Sequence, residues 1–203
     1  MERATDLLEI IHTDVCGPMG VEARGGYRYF LTFTDDLSIY GYIYLMKHKS
    51  ETFEKFKEFQ SEIENHRNKK IKFLRSDHGV EYLSYKFGLH LKQYGIVSQL
   101  TPPGTPQYNG VSERRNRTLL DMVRSMMSLT GLPLSFWDYA LETAAFMLNR
   151  APSKNPLRRH CTTIAGDVVV DHIWTRSQVT APVSRASSTS QCVCAMHVNL
   201  EVY

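Results

Sequence analysis

Three acids in this chain stand where a strand pattern ends or a helix pattern begins, beside glycine-bearing loops. They are Asp14 in "IHTDVCGP", Asp77 in "LRSDHGVEY" and Glu113 in "YNGVSERRNR". Sixty-two residues separate the first two, and 35 separate Asp77 from Glu113. Each has an ordinary structural reading. Asp14 can cap the turn at Gly17 and Pro18, and Asp77 can bond the backbone of the loop behind it. Glu113 can pair with Arg117 one helical turn on, a contact worth roughly 0.2–0.5 kcal/mol. Taken together the three can do more. Two unit charges about 4 Å apart cost roughly 4 kcal/mol at an effective dielectric near 20, so clustered carboxylates need protons or cations. All-oxygen ligands favour hard ions, Mg²⁺ or Mn²⁺, over zinc. Two such ions about 3.5–4 Å apart can activate a water or a 3′-hydroxyl and stabilise the leaving oxygen in phosphoryl transfer.

Other polar residues compete for attention. Asp35 and Asp36 fall at a strand-to-strand turn, where Asp is ordinary, and are kept out of the trio. His12 and His78 flank it and are expected to be packed or solvated. Cys192, Cys194 and His197, with His160 and Cys161, fit no standard zinc spacing. Lys69, Lys70 and Lys72 read as a solvated loop before a strand.

The elements that must carry these residues are legible as periodicities. "LLEIIHTDV" from Leu7 reads as a buried strand, "YRYFLTFTDD" from Tyr27 alternates, and "IYGYIYLM" from Ile39 is rich in aromatic and β-branched residues. Short turns between them predict an antiparallel meander. A helix follows, with Ser50 as its expected N-cap and an apolar stripe of Phe53, Phe56, Phe59 and Ile63. "IKFLRSD" is a fourth strand, "YLSYKFGLHLKQYG" a helix closing on Gly95, and "IVSQLT" a fifth strand. Beyond a loop from Pro102 to Gly110, one helix carries Glu113. The last begins at "SFWD", where Ser135 and Asp138 form a capping-box-like start. The order βββαβαβαα predicts an α/β layer structure with a mixed sheet flanked by helices, and a five-stranded sheet ordered 3-2-1-4-5 is the arrangement expected here. In that order the first and fourth strands are neighbours, which sets Asp14 beside Asp77.

Twenty of the 22 aromatic residues precede position 150, so the core is expected there. Residues 1–154 read as the folded unit. Residues 155–203 hold little periodicity and few large apolar groups, and are expected to be disordered or poorly packed. Net charge is only +3, which leaves any polyanion binding to local patches. No apolar run approaches the ~18 residues of a membrane span, and no targeting signal is seen, so a cytosolic or nuclear protein is the expectation.

With these stretches in hand, the chain resembles the catalytic core of copia-type retrotransposon integrases, in the retroviral integrase superfamily with its ribonuclease H-like fold. The resemblance rests on "EIIHTDVCGP", "GGYRYFLTFTDDLSIYGYIYLM", "KIKFLRSDHGVEY", "GIVSQLTPPGTPQYNGVSERRNRTLLDMVRSMM" and "FWDYALETAAFMLNRAPSK". It implies that Asp14, Asp77 and Glu113 are catalytic and hold two Mg²⁺ or Mn²⁺ ions. It implies DNA as partner (retroelement ends and target DNA), a homodimer through the core as an option, and a nuclear or retroelement-particle location. The loop would embrace a DNA end, with Gln107, Asn109, Arg114, Arg115 and Arg117 near phosphates or bases. The chain departs from the family at His78 and Val80, where relatives carry a basic residue and glycine, at Tyr108, and in its tail. It reads as a piece of a larger polyprotein product. The expected activity is 3′-end processing and strand transfer; the alternative is a catalytically inactive retrotransposon remnant that at most binds nucleic acid non-specifically. A ribonuclease H-type or junction-resolving nuclease is disfavoured by the 35-residue interval.

Overall fold

The computed structural model describes residues 3–77, 79–101 and 110–151. The elements are β1 (Ile10–Cys16), β2 (Tyr29–Asp35), β3 (Gly41–Met46), α1 (Thr52–Arg67), β4 (Phe73–Ser76), α2 (Tyr85–Gln93), β5 (Val97–Leu100), α3 (Gly110–Thr130) and α4 (Trp137–Arg150). Their order is the expected one. The sheet runs β3-β2-β1-β4-β5. β1, β2 and β3 form the antiparallel meander, while β4 lies parallel to β1 and β5 parallel to β4. The expected tail, residues 155–203, lies outside the described residues.

Helices cover both faces of the sheet. On one face Ile11, Leu31, Phe33, Met46 and Leu74 pack against Phe56, Phe59 and Ile63 of α1 and Phe87 and Leu91 of α2. On the other, Phe30 packs with Leu119, Val123 and Met127 of α3 and Trp137, Leu141 and Ala144 of α4. The period-2 geometry of a strand sends alternate side chains to these two layers. Because both layers are filled, every β2 residue from Phe30 to Asp35 is buried, where alternation alone suggested one wet face. The buried polar members of that run are Thr32, Thr34 and Asp35. Thr32 meets α3 through Asn116, beside Asp14.

Two helix starts differ from expectation. Ser50 does not cap α1, because a 3₁₀ turn at Lys49–Glu51 precedes the helix. The Glu51 carboxylate accepts from the Lys47 and His48 amides instead, at 3.2 and 2.8 Å. At α4 a second 3₁₀ turn, Leu134–Phe136, absorbs Ser135, and Asp138 accepts from its neighbour's amide, Tyr139 N, at 3.0 Å. In both cases a 3₁₀ turn takes up the first backbone donors, so no serine cap is required. α2 starts later than the pattern suggested. Ser84 caps it by accepting from Phe87 N, and Tyr82 drops into the core instead. Gly95 ends it with φ +69.

Candidate active site

Asp14 sits near the end of β1, opposite Thr32 of β2. The β1–β4 register pairs Ile10, Ile11 and His12 with Phe73, Leu74 and Arg75. Continued by two residues, it sets Asp77 level with Asp14 and on the same side of the sheet, the side that α3 covers. Asp77 is exposed just past the strand end, where its Oδ1 accepts from Gly79 N at 3.1 Å. α3 supplies the third acid. Its buried face carries Ser112, Arg115, Asn116, Leu119, Val123 and Met127. Glu113 precedes Asn116 by almost one turn and is exposed at the sheet's rim.

The link between helix and strand is Asn116. Its Nδ2 donates to Asp14 Oδ2 at 2.9 Å, and its Oδ1 accepts from the Thr32 hydroxyl at 3.0 Å. An Asn can donate and accept at once, so this side chain fixes α3 to β1 and β2 in a single orientation. Reading the sequence did not single it out. The signal available was its place on the α3 core stripe, three residues before Leu119, where a polar side chain needs partners.

The electrostatics agree with a cluster. Burial pushes the Asp14 carboxyl up to about 7, the Asp77 charge adds to the rise, the Asn116 hydrogen bond opposes it, and Glu113 contributes a further increase. Asp14 is therefore half-buried beside two like charges, the arrangement in which a carboxylate takes up a proton or a cation. The donor set, all carboxylate oxygens, fits a hard divalent ion. Among the described residues, however, no three acidic, His or Cys side chains stand close enough to hold one ion. The acids are brought to one edge without being drawn into a cage.

Around them lie residues that the sequence reading did not single out. The Thr13 and Tyr82 hydroxyls are 3.0 Å apart beneath the site. Burial, the largest cause, raises the Tyr82 phenol well above its ordinary range. Lys49 approaches the shielded carboxylate of Glu81, with 3.9 Å between Nζ and Oε1.

The arginines divide. Arg114 and Arg117 are exposed on α3. Arg115 is not: it is 5% exposed, and its guanidinium donates to Ile39 O at 2.8 Å and to Asn149 Oδ1 at 2.6 Å. The expectation that Arg115 meets phosphate is corrected accordingly, since a helix turns its third residue after Ser112 inward with the core stripe. Gln107, Asn109, Tyr108 and His78 lie outside the described residues. Val80 is 82% exposed. His12 is packed, with Nε2 2.9 Å from Asp36 Oδ1. Asp36 also accepts from Arg3 and from the Ala4 amide, and Asp35 accepts from the Leu8 amide and from Ser38. Both rival acids therefore serve to fasten the N-terminal arm. Lys69, Lys70 and Lys72 pair with Asp6, Glu64 and Glu9.

The acids thus gather at one edge of a five-stranded mixed sheet, at the adjoining ends of β1 and β4 and on the helix that covers them. The chain belongs to the integrase core domain family, whose family model matches residues 5–106, half of its length. It is 42% identical over 178 residues to the retrovirus-related Pol polyprotein from transposon TNT 1-94 of Nicotiana tabacum, covering 88% of this chain and 13% of that protein. It is 34% identical to the Pol polyprotein from transposon RE2 of Arabidopsis thaliana, over 72% of this chain and 10% of the relative. The chain thus spans about a tenth of the length of these polyproteins. Among solved structures, it superposes on a chain of the simian T-cell lymphotropic virus intasome complexed with a PP2A regulatory subunit. That match has a TM-score of 0.62 and 18% identity, covering 93% of this chain and 61% of the other. The HTLV-2 integrase catalytic core domain in complex with magnesium gives a TM-score of 0.56 and 20% identity, over 76% of this chain and 93% of that one. At such identities these two show the fold.

Proposed function

We propose that this chain is a divalent-metal-dependent polynucleotidyl transferase core, which trims a DNA 3′ end and joins it to target DNA. The observation that carries the reading is the hydrogen bond from Asn116 to Asp14, which brings the helix bearing Glu113 to the strand ends bearing Asp14 and Asp77. Asp14, Asp77 and Glu113 are the residues that would hold Mg²⁺ or Mn²⁺. Two such ions supply Lewis acidity at a phosphoryl group and lower the pKa of an attacking hydroxyl or water. Asn116 donates to Asp14 Oδ2 and so orients the carboxylate. Arg114 and Arg117, exposed behind Glu113, offer cations to DNA phosphates, contacts that position a duplex without reading its sequence. Relatives that are Pol polyproteins and a structural neighbour within an intasome support DNA as the partner, and the dimeric and trimeric forms of the HTLV-2 core support self-association.

The test is Mn²⁺-dependent nicking and joining of a branched DNA that mimics an element end fused to target, comparing the chain with Glu113→Gln. Activity in the parent that vanishes in the variant is the expected result. Equal inactivity in two folded proteins would overturn the reading. It would favour the second one, an inactive core that binds nucleic acid non-specifically, which has one observation behind it: no preformed three-acid cage among the described residues.

A further inference from the structure

Arg115 is the most completely enclosed cation of the described residues, and no step proposed above uses it. One guanidinium nitrogen, Nη1, donates to the Ile39 carbonyl in the turn before β3. The other, Nη2, donates to Asn149 Oδ1 near the end of α4. Asn149 is itself doubly tied to β3: its Oδ1 accepts from Gly41 N at 3.0 Å and its Nδ2 donates to Gly41 O at 2.8 Å. Gly41 has no side chain for a reason visible here. A Cβ built on it would overlap the Arg115 guanidinium, meeting Nε and Cζ. The group therefore lies flat on the backbone of β3, with α4 closing over it. Burial lowers the Arg115 pKa to about 10, so the cation persists at neutral pH. Taking a charge this far from water is costly; here Nη1 and Nη2 are bonded while the buried Nε has no hydrogen-bond partner, and a lysine has a point charge where this slot takes a planar fork.

The lock sits beside the residues that matter most to the site. Glu113 is two positions before Arg115, and Asn116 is the next residue. Four hydrogen bonds thus hold the first turns of α3: Asn116 with Asp14 and Thr32 on one side, and Arg115 with Ile39 and Asn149 on the other.

We infer that Arg115 is a positioning residue for the carboxylate site: clamped between Ile39, Gly41 and Asn149, it sets the rotation of α3 at which Asn116 reaches Asp14 and Glu113 faces the acids of β1 and β4. Its positive charge is spent inside the protein and contributes nothing to the surface that meets DNA. The catalytic consequence rests on the function proposed above; the positional one does not.

Three variants and three readouts test it. Arg115→Met removes the fork, Arg115→Lys keeps the charge without it, and Gly41→Ala expels the guanidinium while leaving Arg115 in the sequence. In the parent, NMR of the full chain should show one Asn116 side-chain amide proton slowed in exchange by its bond to Asp14. Each variant should lose that protection while the amide dispersion of the sheet persists. DNA affinity, and its slope against salt, should stay within about twofold of the parent for all three. Arg117→Met is the comparator, expected to lower the slope by about one for a lost phosphate contact with the Asn116 amide still protected. On the branched DNA, the positioning variants should lose turnover at saturating DNA at least tenfold without a rise in KM, and Arg115→Lys should not rescue it. Retained Asn116 protection in Arg115→Met, or a reduced salt slope, would overturn the inference. If Arg115→Met does not fold, the milder Gly41→Ala decides by the same amide. If the parent itself shows no metal-dependent activity, the proposed function fails while the amide readout still judges the lock.

Discussion

Asn116 donates its side-chain amide to Asp14 at 2.9 Å across 102 positions of sequence, and the same side chain accepts from Thr32. The contact joins a helix to the first two strands of the meander at the level where the acids collect. Removing it leaves the Asp14 carboxylate free to rotate and frees a buried hydroxyl on Thr32. Asn116→Ala should lower metal-dependent joining by roughly 10–100-fold, the range seen when a group orienting a metal ligand is lost. Rates at saturating DNA, beside a circular dichroism spectrum that stays that of the parent, check this. An unchanged rate would mean that Asp14 is held by something else.

The aromatic layer between sheet and α1 should dominate stability. Phe33 is fully buried and stacks on Phe59 with centroids 4.2 Å apart and planes 8° from parallel. Phe33→Ala should cost ~3–5 kcal/mol, combining lost transfer energy with the cavity left behind. Urea unfolding followed by tryptophan fluorescence measures it, and a loss under ~1 kcal/mol would show that α1 collapses into the gap.

Glu142 on α4 supplies a pH dependence away from the carboxylate edge. Burial, and then the charge of Asp138 one turn earlier, push its carboxyl from 4.5 up to about 7. The folded state therefore binds more protons than the unfolded state between these values, and stability falls as pH rises through that window. Glu142→Gln removes the penalty. Its melting temperature should match the parent near pH 4.5 and exceed it at pH 8, by an amount equivalent to about 2 kcal/mol after allowance for partial exposure. Equal melting temperatures at both pH values would contradict the burial.

The surface cations should separate into two groups in DNA binding. Lys69, Lys70 and Lys72 face Asp6, Glu64 and Glu9, so their charge is locally compensated. Arg114 and Arg117 stand exposed beside the acids. Neutralising the three lysines should leave the salt slope of DNA affinity nearly unchanged, whereas neutralising the two arginines should reduce it by about two if each meets a phosphate. Fluorescence anisotropy across a salt series distinguishes the groups, and the reverse ranking would place the DNA on the opposite rim.

What the amino-acid sequence determined alone was the succession of elements and the acids at their ends. Apolar periodicity is a local property: Phe56, Phe59 and Ile63 share a helix face whatever they pack on. The turns that break "LLEIIHTDV" and "IKFLRSD" likewise leave Asp14 and Asp77 at strand ends by chain chemistry. With βββαβαβαα in hand, few strand orders remain, and the observed one, β3-β2-β1-β4-β5, is among them. The local pattern went wrong where two structures satisfy the same backbone donors, as at Ser50 and Ser135, which sit in 3₁₀ turns instead of capping.

Only the tertiary structure decided which polar side chains face inward and what they meet. Arg114, Arg115 and Arg117 look alike as a run, yet the helix turns one of them onto Gly41 and Asn149. A helical wheel places Arg115 one turn before Leu119, the hint that was there to be read. Its partners Ile39 and Asn149 lie 76 and 34 positions away, and nothing in local spacing encodes them. The same holds for Asn116 with Asp14 and for His12 with Asp36. Hydrophobic burial follows from pattern because it is non-directional; a hydrogen bond needs both groups at a set distance and angle, and that is settled only when the layers close.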